Sequence, residues 1–346
     1  MSGTEAPART ESPGELAPEA RRNPVTLLTP SGLGVVAAFV VTVVVFYSLR
    51  PATFGEWSTW RGILEASAVP IVVATGLTIA LIVGDFDLSI GAVLGLGMGV
   101  CISLSAEHGV AWPLAALLAL LACAAVGLVN GLLVTRARVN SFIGTLAMGS
   151  VVGGLEAKVT DQQTISQGIP EGLVTAGTRQ VLGVSVGLWL AVLLAVVLLL
   201  AVRQTEVGRY LYAIGSNAEA SRLAGVRVRT LRTWGFVCAS VTAGLAGVLL
   251  AAQTASYYPN AGGGYLLPAY AAAFLGTALG AGRFGIFATV FGVLFLQTLQ
   301  TGLTVINIAP WVVMFTQGVV LVVAVMLSQA SDLVGWSRRV TRRTPG

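Results

Sequence analysis

Ten apolar runs leave this chain few ways to fold. They fall at 31–49, 62–83, 88–105, 112–134, 141–155, 184–202, 233–252, 268–279, 285–303 and 311–327, separated by charged, Pro-bearing or Gly-bearing stretches. In hydrocarbon every backbone N–H and C=O has to be satisfied inside the protein, and a spanning helix needs about 20 apolar residues, so these runs predict transmembrane helices. The third, fifth and eighth are short or glycine-rich, which predicts tilted, re-entrant or broken helices. With 10% charged and 55% hydrophobic residues, the chain falls well below the roughly 25% charge of a soluble domain. The expected fold is all-α: one polytopic membrane domain over 31–328 with about ten (8–10) transmembrane helices. Residues 1–30, rich in Pro, Glu, Ala and Arg, read as a disordered cytoplasmic tail, and 329–346 as a basic cytoplasmic tail. The first apolar run starts too far from Met1 for a cleaved signal peptide and reads as a retained helix.

Short loops rich in Lys and Arg stay in the cytoplasm. With the N-terminus inside, only Arg50, Arg61, Lys158 and Arg179 of the 20 basic residues fall outside. That split predicts an even number of spans with both termini cytoplasmic, and it accounts for the net charge of +5 without nucleic acid. Trp57, Trp60, Trp112, Trp189, Trp234, Trp311 and Trp336 all sit at or just beyond the ends of the runs, where an indole keeps its N–H wet. Cys101, Cys123 and Cys238 lie inside apolar runs without CxxC spacing, and His108 has no second ligand nearby, so neither a disulfide nor a metal is expected.

Polar groups at membrane depth are costly. Asp85, Asp87 and Ser89, between Gly84 and Gly91, form either a short loop in which Asp87 or Ser89 caps the next helix, or a discontinuous helix beside a transport path. A second interruption runs from Leu275 to Gly285 with Gly276, Gly280, Gly282 and Gly285. Paired Gly-interrupted segments in two halves of a chain mark transporters built from repeats. In the ninth run Gln297, Gln300, Thr301 and Thr304 share one helical face. They either line a polar path or hydrogen-bond a neighbouring helix. Gly262-Gly263-Gly264 reads as a flexible external turn.

Between the sixth and seventh runs, 203–232 is polar and arginine-rich. Asn217 as N-cap and Gly225 as stop predict a short helix carrying Glu219, Ala220 and Arg222, preceded by Gly208, Arg209 and Gly215. Such a helix on the cytoplasmic side suits docking to a soluble partner. The chain has one lysine and no phosphate-binding loop, and no Ser/His/Asp or Cys/His set. It is therefore expected to be neither an ATPase nor an intramembrane enzyme, and no cofactor is implied.

Three segments carry a family resemblance. Gly84 to Gly91 resembles the G-G-I-D-L-S-V-G signature of ribose-type permeases from binding-protein-dependent ABC importers. Arg138-Val139-Asn140-Ser141-Phe142-Ile143-Gly144-Thr145-Leu146 resembles their R-V-x-x-F-I-x-T-L stretch. Thr205 to Val226 is similar to their cytoplasmic loop, with Gly208, Arg209, Ala213, Gly215, Asn217, Ala220 and Gly225 in register. Asp85 replaces the second Gly of the first signature, and Thr277 and Ala278 stand where Gly and Thr are usual. These departures bear on the solute rather than the fold.

The resemblance implies an ABC importer permease fold in a bacterial inner membrane. Its implied partners are ATPase subunits that hydrolyse the ATP, a second permease (the same chain or a paralogue) and an external solute-binding protein. The implied solute is a monosaccharide such as ribose. The alternatives are an ABC permease for a nucleoside, a branched-chain amino acid or a vitamin, and an ion-coupled transporter using Asp85 or Asp87. Asp85, Asp87, Ser89, Gln297, Gln300, Thr301 and Thr304 are the candidate path residues. Gly208, Arg209, Gly215, Asn217, Glu219, Ala220, Arg222 and Gly225 are the candidate ATPase-coupling residues.

Overall fold

Small residues decide which helix lies at the centre. A computed structural model of the protein describes residues 30–340, with side chains from 32 to 326. In it the elements follow in order: α1 (Pro30–Leu49), α2 (Pro51–Phe54), α3 (Trp57–Ala66), α4 (Ala68–Ile82), α5 (Ile90–Ile102), α6 (Trp112–Thr135), α7 (Ser141–Thr160), α8 (Glu171–Thr178), β1 (Gln180–Val181), β2 (Val184–Ser185), α9 (Val186–Gln204), α10 (Glu206–Ser216), α11 (Ala218–Leu223), α12 (Val228–Thr254), α13 (Gly263–Leu279), α14 (Ile286–Val305) and α15 (Pro310–Val340). A π-helical turn, Ser103–Glu107, extends α5.

The central helix is α12, packed on α4, α5 and α6. Gly247 sits so close to α5 that an added Cβ would lie 2.2 Å from the Leu94 carbonyl oxygen. Gly97 lies against the backbone of Gly244 in the same seam, and Gly244, facing Cys123, brings α6 against α12 together with Gly127 and Gly131. Apolar side chains gain little by leaving lipid for another apolar surface, so close backbone approach through small residues is what holds such helices together. By contrast α1, α7 and α9 are largely exposed, as helices that face lipid would be.

Among the described residues, seven helices are long and apolar enough to cross a membrane, or eight if α3 and α4 form one span bent by 42°. Gly263–Leu279 is a shorter apolar helix, and α15 is apolar over its described side chains, Pro310–Met326. Each predicted run therefore coincides with an apolar helix. The protein is a polytopic, mainly helical membrane protein. Most of the predicted 1–30 tail, residues 1–29, lies outside the described residues, as do the side chains of Trp336 and of the basic residues beyond Met326.

Three expectations need correcting. The chain is not wholly α-helical, because β1 and β2 pair as an antiparallel hairpin whose turn residues Leu182 and Gly183 both have positive φ. The turn is two residues long, a length that favours the backbone twist positive φ provides. Gly262-Gly263-Gly264 is not a flexible turn. Gly263 and Gly264 begin α13, and a Cβ on Gly262 would lie 1.8 Å from the Gly91 carbonyl oxygen. Glycine is required there by close approach to α5. Finally, α7 runs five residues beyond its predicted end at 155.

Candidate functional site

Two prolines shape a cavity between the helices. Pro70 stands at the third position of α4, and Pro268 lies inside α13. Proline has no N–H to donate four residues back, so neither Ala66 nor Gly264 can receive its usual helical bond. The bend at Ser67 between α3 and α4 is accounted for in this way. Ala66, Pro70, Gly264 and Pro268 all line a cavity of about 530 Å³. Its polar wall consists of Gln253 from α12, Asn260 and Tyr258 from the 255–262 loop, Tyr265 from α13, Gln297 and Gln300 from α14, and Gln317 from α15. No charged side chain is among its lining residues. Gln317 Nε2 donates to Gln300 Oε1 at 3.2 Å, so Gln300 both faces the cavity and joins α14 to α15.

The loop forming one wall is held from behind. Tyr257 is fully buried, exchanges two backbone hydrogen bonds with Ile165, and donates its hydroxyl to Glu156 Oε1 at 3.0 Å. Thr160 donates to the same hydroxyl oxygen at 3.1 Å. The Glu156 carboxylate rests on Gly95 of α5, where a Cβ would come within 2.6 Å of both its oxygens. Glu156 lies just past the predicted end of the fifth run, and sequence reasoning did not single it out. The signal available was a lone carboxylate between an apolar run and a threonine-rich turn.

At the opposite end of α4, the 84–89 segment is a connection between α4 and α5, with all its amides satisfied. Gly84 and Asp85 donate to the Leu81 and Ala80 carbonyls. Phe86 donates to Ser141 Oγ at 3.2 Å, Asp87 to Tyr270 Oη at 2.9 Å, Leu88 to Thr145 Oγ1 at 2.9 Å, and Ser89 to Asp87 Oδ1 at 3.0 Å. Irregular backbone is tolerated at membrane depth when protein groups satisfy it in this way. Asp87 and Ser89 are fully buried, Ser89 Oγ donates to Asp87 Oδ1 at 2.6 Å, and Asn130 Nδ2 donates to Ser89 Oγ at 2.8 Å. Asp85 is 1% exposed and takes a two-pronged contact from Arg232, Nε to Oδ2 at 2.8 Å and Nη2 to Oδ1 at 2.5 Å. Fork-to-fork pairing of this kind is the strongest ordinary ion-pair geometry.

The seven candidate path residues thus fall into separate places. Gln297 and Gln300 line the cavity, whereas Asp85, Asp87 and Ser89 belong to the connection at the other end of α4. Thr301 is half-buried beside them on α14, and the exposed Thr304 donates to the Gln300 carbonyl. Arg232, Ser141, Thr145, Tyr270 and Asn130 complete the connection. Sequence reading counted Arg232 only as a topological charge, and it assigned no contact to the other four.

In the polar 203–232 segment the short helix forms as its caps predict. Asn217 Oδ1 accepts from the Ala220 amide at 2.9 Å, and Gly225 ends α11 with φ of 84°. Arg222 pairs with Glu219, and that hydrogen-bonded contact holds the Glu219 carboxyl below its usual range. Arg209 reaches Glu206 at 3.5 Å. Arg209, Asn217, Glu219, Ala220, Arg222 and Gly225 are exposed, whereas Gly208 is buried against Val202. Gly215 touches α4, where a Cβ would lie 2.0 Å from the Ile82 carbonyl oxygen. Replacing Asn217 with alanine removes the cap, worth about 1 kcal/mol. Amide exchange across α11 is expected to quicken about fivefold, as read by hydrogen–deuterium exchange, and an unchanged rate would refute the capping role.

Residues 60–325 match the family model described as "Branched-chain amino acid transport system / permease component". The chain is 32% identical over 295 residues to the ribose import permease protein of Escherichia coli K12, covering 84% of this chain and 91% of that protein. The ribose import permease protein of Bacillus subtilis 168 is 33% identical over 299 residues, covering 86% and 92%. The L-arabinose ABC transporter permease protein of Azospirillum brasilense is 31% identical over 337 residues, covering 95% and 97%. No solved structure matches the chain.

Proposed function

We propose that this chain, which belongs to the permease-component family of branched-chain amino acid transport systems, is the membrane subunit of an ABC importer for a monosaccharide of the ribose, allose or arabinose class. The observation that carries the sugar reading is the charge-free cavity with its four glutamines, one asparagine and two tyrosines. Amides and phenols donate to and accept from hydroxyl groups on all sides of a pyranose or furanose, and tyrosine faces cover its apolar C–H surface. A free amino acid is a zwitterion, and burying it without charged partners would be costly. The ion-coupled alternative is weakened by the placement of its two carboxylates. Asp85 is engaged by Arg232, and neither Asp85 nor Asp87 lines the cavity.

ATP hydrolysis would reside in separate ATPase subunits that receive α11 in a groove, with Arg209 and Arg222 facing acidic groups. That end of the bundle carries Arg136, Arg138, Arg203, Arg209, Arg222, Arg227, Arg229 and Arg283, which favours a cytoplasmic placement in a bacterial inner membrane. A second permease, whether a copy or a paralogue, and an external solute-binding protein would complete the importer.

Vesicles containing this permease with its ATPase and solute-binding protein test the substrate class. Labelled ribose or arabinose is expected to accumulate on ATP addition, and leucine is not; leucine uptake without pentose uptake would overturn the sugar reading. Gln297→Leu with Gln300→Leu removes two hydrogen-bonding amides, each worth about 0.5–1.5 kcal/mol. The half-saturating sugar concentration should rise about tenfold. Arg209→Ala with Asn217→Ala is expected to lose co-purifying ATPase subunits.

A further inference from the structure

We infer that the Asp85–Arg232 pair is the tie through which movement of α11 enters the membrane bundle, a role that rests on the importer reading above. Both ends of the exposed α11 segment land on the same short stretch of chain. Its entry is Gly215, whose backbone lies directly on the Ile82 carbonyl. Its exit is Arg232, which grips Asp85 through two hydrogen bonds across 147 residues of sequence. Between them α11 exposes Glu219, Arg222 and Leu223, while Ser221 is buried and Val226 just beyond the helix packs on the core. Through these two anchors a displacement of α11 reaches the bundle at residues 82–85.

From there three of the helices that line the cavity, α4, α13 and α14, are each engaged. α4 ends at this stretch and carries Val69 and Pro70 of its first turn at the cavity, about 20 Å away by helical rise. The Thr78 and Thr289 hydroxyls bond at 2.8 Å, joining α4 to α14. The Asp87 amide donates to Tyr270 of α13. Rings continue the connection: Phe86 stacks on Tyr270 with centroids 6.1 Å apart, Tyr270 on Phe274 at 6.5 Å, and Phe274 meets Phe284 edge-on at 5.2 Å. At Phe284 the carbonyl accepts from Tyr212 of α10 at 2.9 Å. The helix leading into α11 thus touches both the 82–85 turn and the α13–α14 turn. Among the described residues, Arg232 is the one side chain that binds the far side of α11 to the first of these by an ion pair. Packed elements with discrete arrangements transmit such shifts, whereas loose ones absorb them. Arg232 and Asp85 are positioning residues; neither touches the cavity.

The test uses the complete importer in vesicles, comparing wild type with Asp85→Asn and with Asp85→Asn plus Arg232→Gln at matched amounts of assembled complex. Solute accumulated and ATP hydrolysed are measured together. The expected result is a fall of about fivefold or more in solute moved per ATP, with solute-stimulated hydrolysis within about twofold of wild type. An unchanged ratio, whether both rates hold or both fall together, would show a merely structural pair and overturn the inference. If Asp85→Asn fails to assemble, Arg232→Lys, which keeps both charges but loses the fork, carries the same comparison. Should wild type show no solute-stimulated hydrolysis at all, the importer reading fails and this role with it. A sugar-independent but ATP-driven uptake of another solute would leave the ratio measurable and the pair's role still decided by it.

Discussion

A Gly247→Val permease is expected to fall sharply in membrane abundance and to melt well below wild type in detergent. The added side chain would start 2.2 Å from the Leu94 carbonyl oxygen and 2.8 Å from the Met98 nitrogen. Both atoms are backbone inside α5, so no rotamer change relieves the clash. Overpacking a core usually costs 1–3 kcal/mol and sometimes more; with backbone on both sides of the contact, about 3 kcal/mol or above is expected here. The central pairing of α5 with α12 would have to open. Gly154→Val on α7, where nothing lies within 4 Å of a Cβ, supplies the control and should change stability by about 0.5 kcal/mol or less. Equal melting of the two variants would sink the close-approach account of the core.

The second large effect is an asymmetry. Arg232→Gln leaves the Asp85 carboxylate, 1% exposed, without its cation, whereas Asp85→Asn leaves an arginine side chain that is 29% exposed. Removing one partner of a buried pair costs about 3–5 kcal/mol when the charge left behind has no route to water. An orphaned arginine that can reach solvent should lose only about 1 kcal/mol, in the range of a surface pair. Thermal unfolding of purified protein should therefore rank wild type first, Asp85→Asn close behind and Arg232→Gln far below. The double variant Asp85→Asn plus Arg232→Gln should recover much of the loss, because no bare charge remains. Two single variants of equal stability would mean that the carboxylate is not as enclosed as its geometry indicates. This ranking is also why Asp85→Asn, rather than Arg232→Gln, is the variant to use in the coupling measurement.

The helices were legible because their causes are local. An apolar run bounded by charge or glycine is helical wherever it meets lipid, and each of the ten runs contains one. The α11 helix was equally readable, since the Asn217 cap and the Gly225 stop act over three or four residues. The misreadings share another cause. Gly262 looked like a turn glycine, yet its role is to let α13 meet Gly91, a contact between segments far apart in sequence. Residues 156–183, between the fifth and sixth runs, carried no assigned structure, and Glu156, Tyr257 and Ile165 tie that segment to a wall of the cavity. Asp85 and Asp87 attracted attention as carboxylates at depth, while the Arg232 and Ser89 that engage them could not be assigned by pattern. Gln297 and Gln300 were picked out by their helical face, though only the packed structure shows that Gln253, Asn260 and Gln317 stand with them.

Hydropathy, glycine placement and caps by themselves determined that this chain is a polytopic helical membrane protein with a polar, arginine-rich segment between two apolar runs. These properties follow from the cost of unsatisfied backbone in lipid and from hydrogen bonds a few residues long. Only the tertiary structure decided that α12 is the core, that α4, α12, α13, α14 and α15 share an amide-lined cavity, and that Arg232 closes on Asp85. Those outcomes depend on which surfaces approach closely enough to exclude lipid and water. A linear sequence does not carry that distance until the helices have packed.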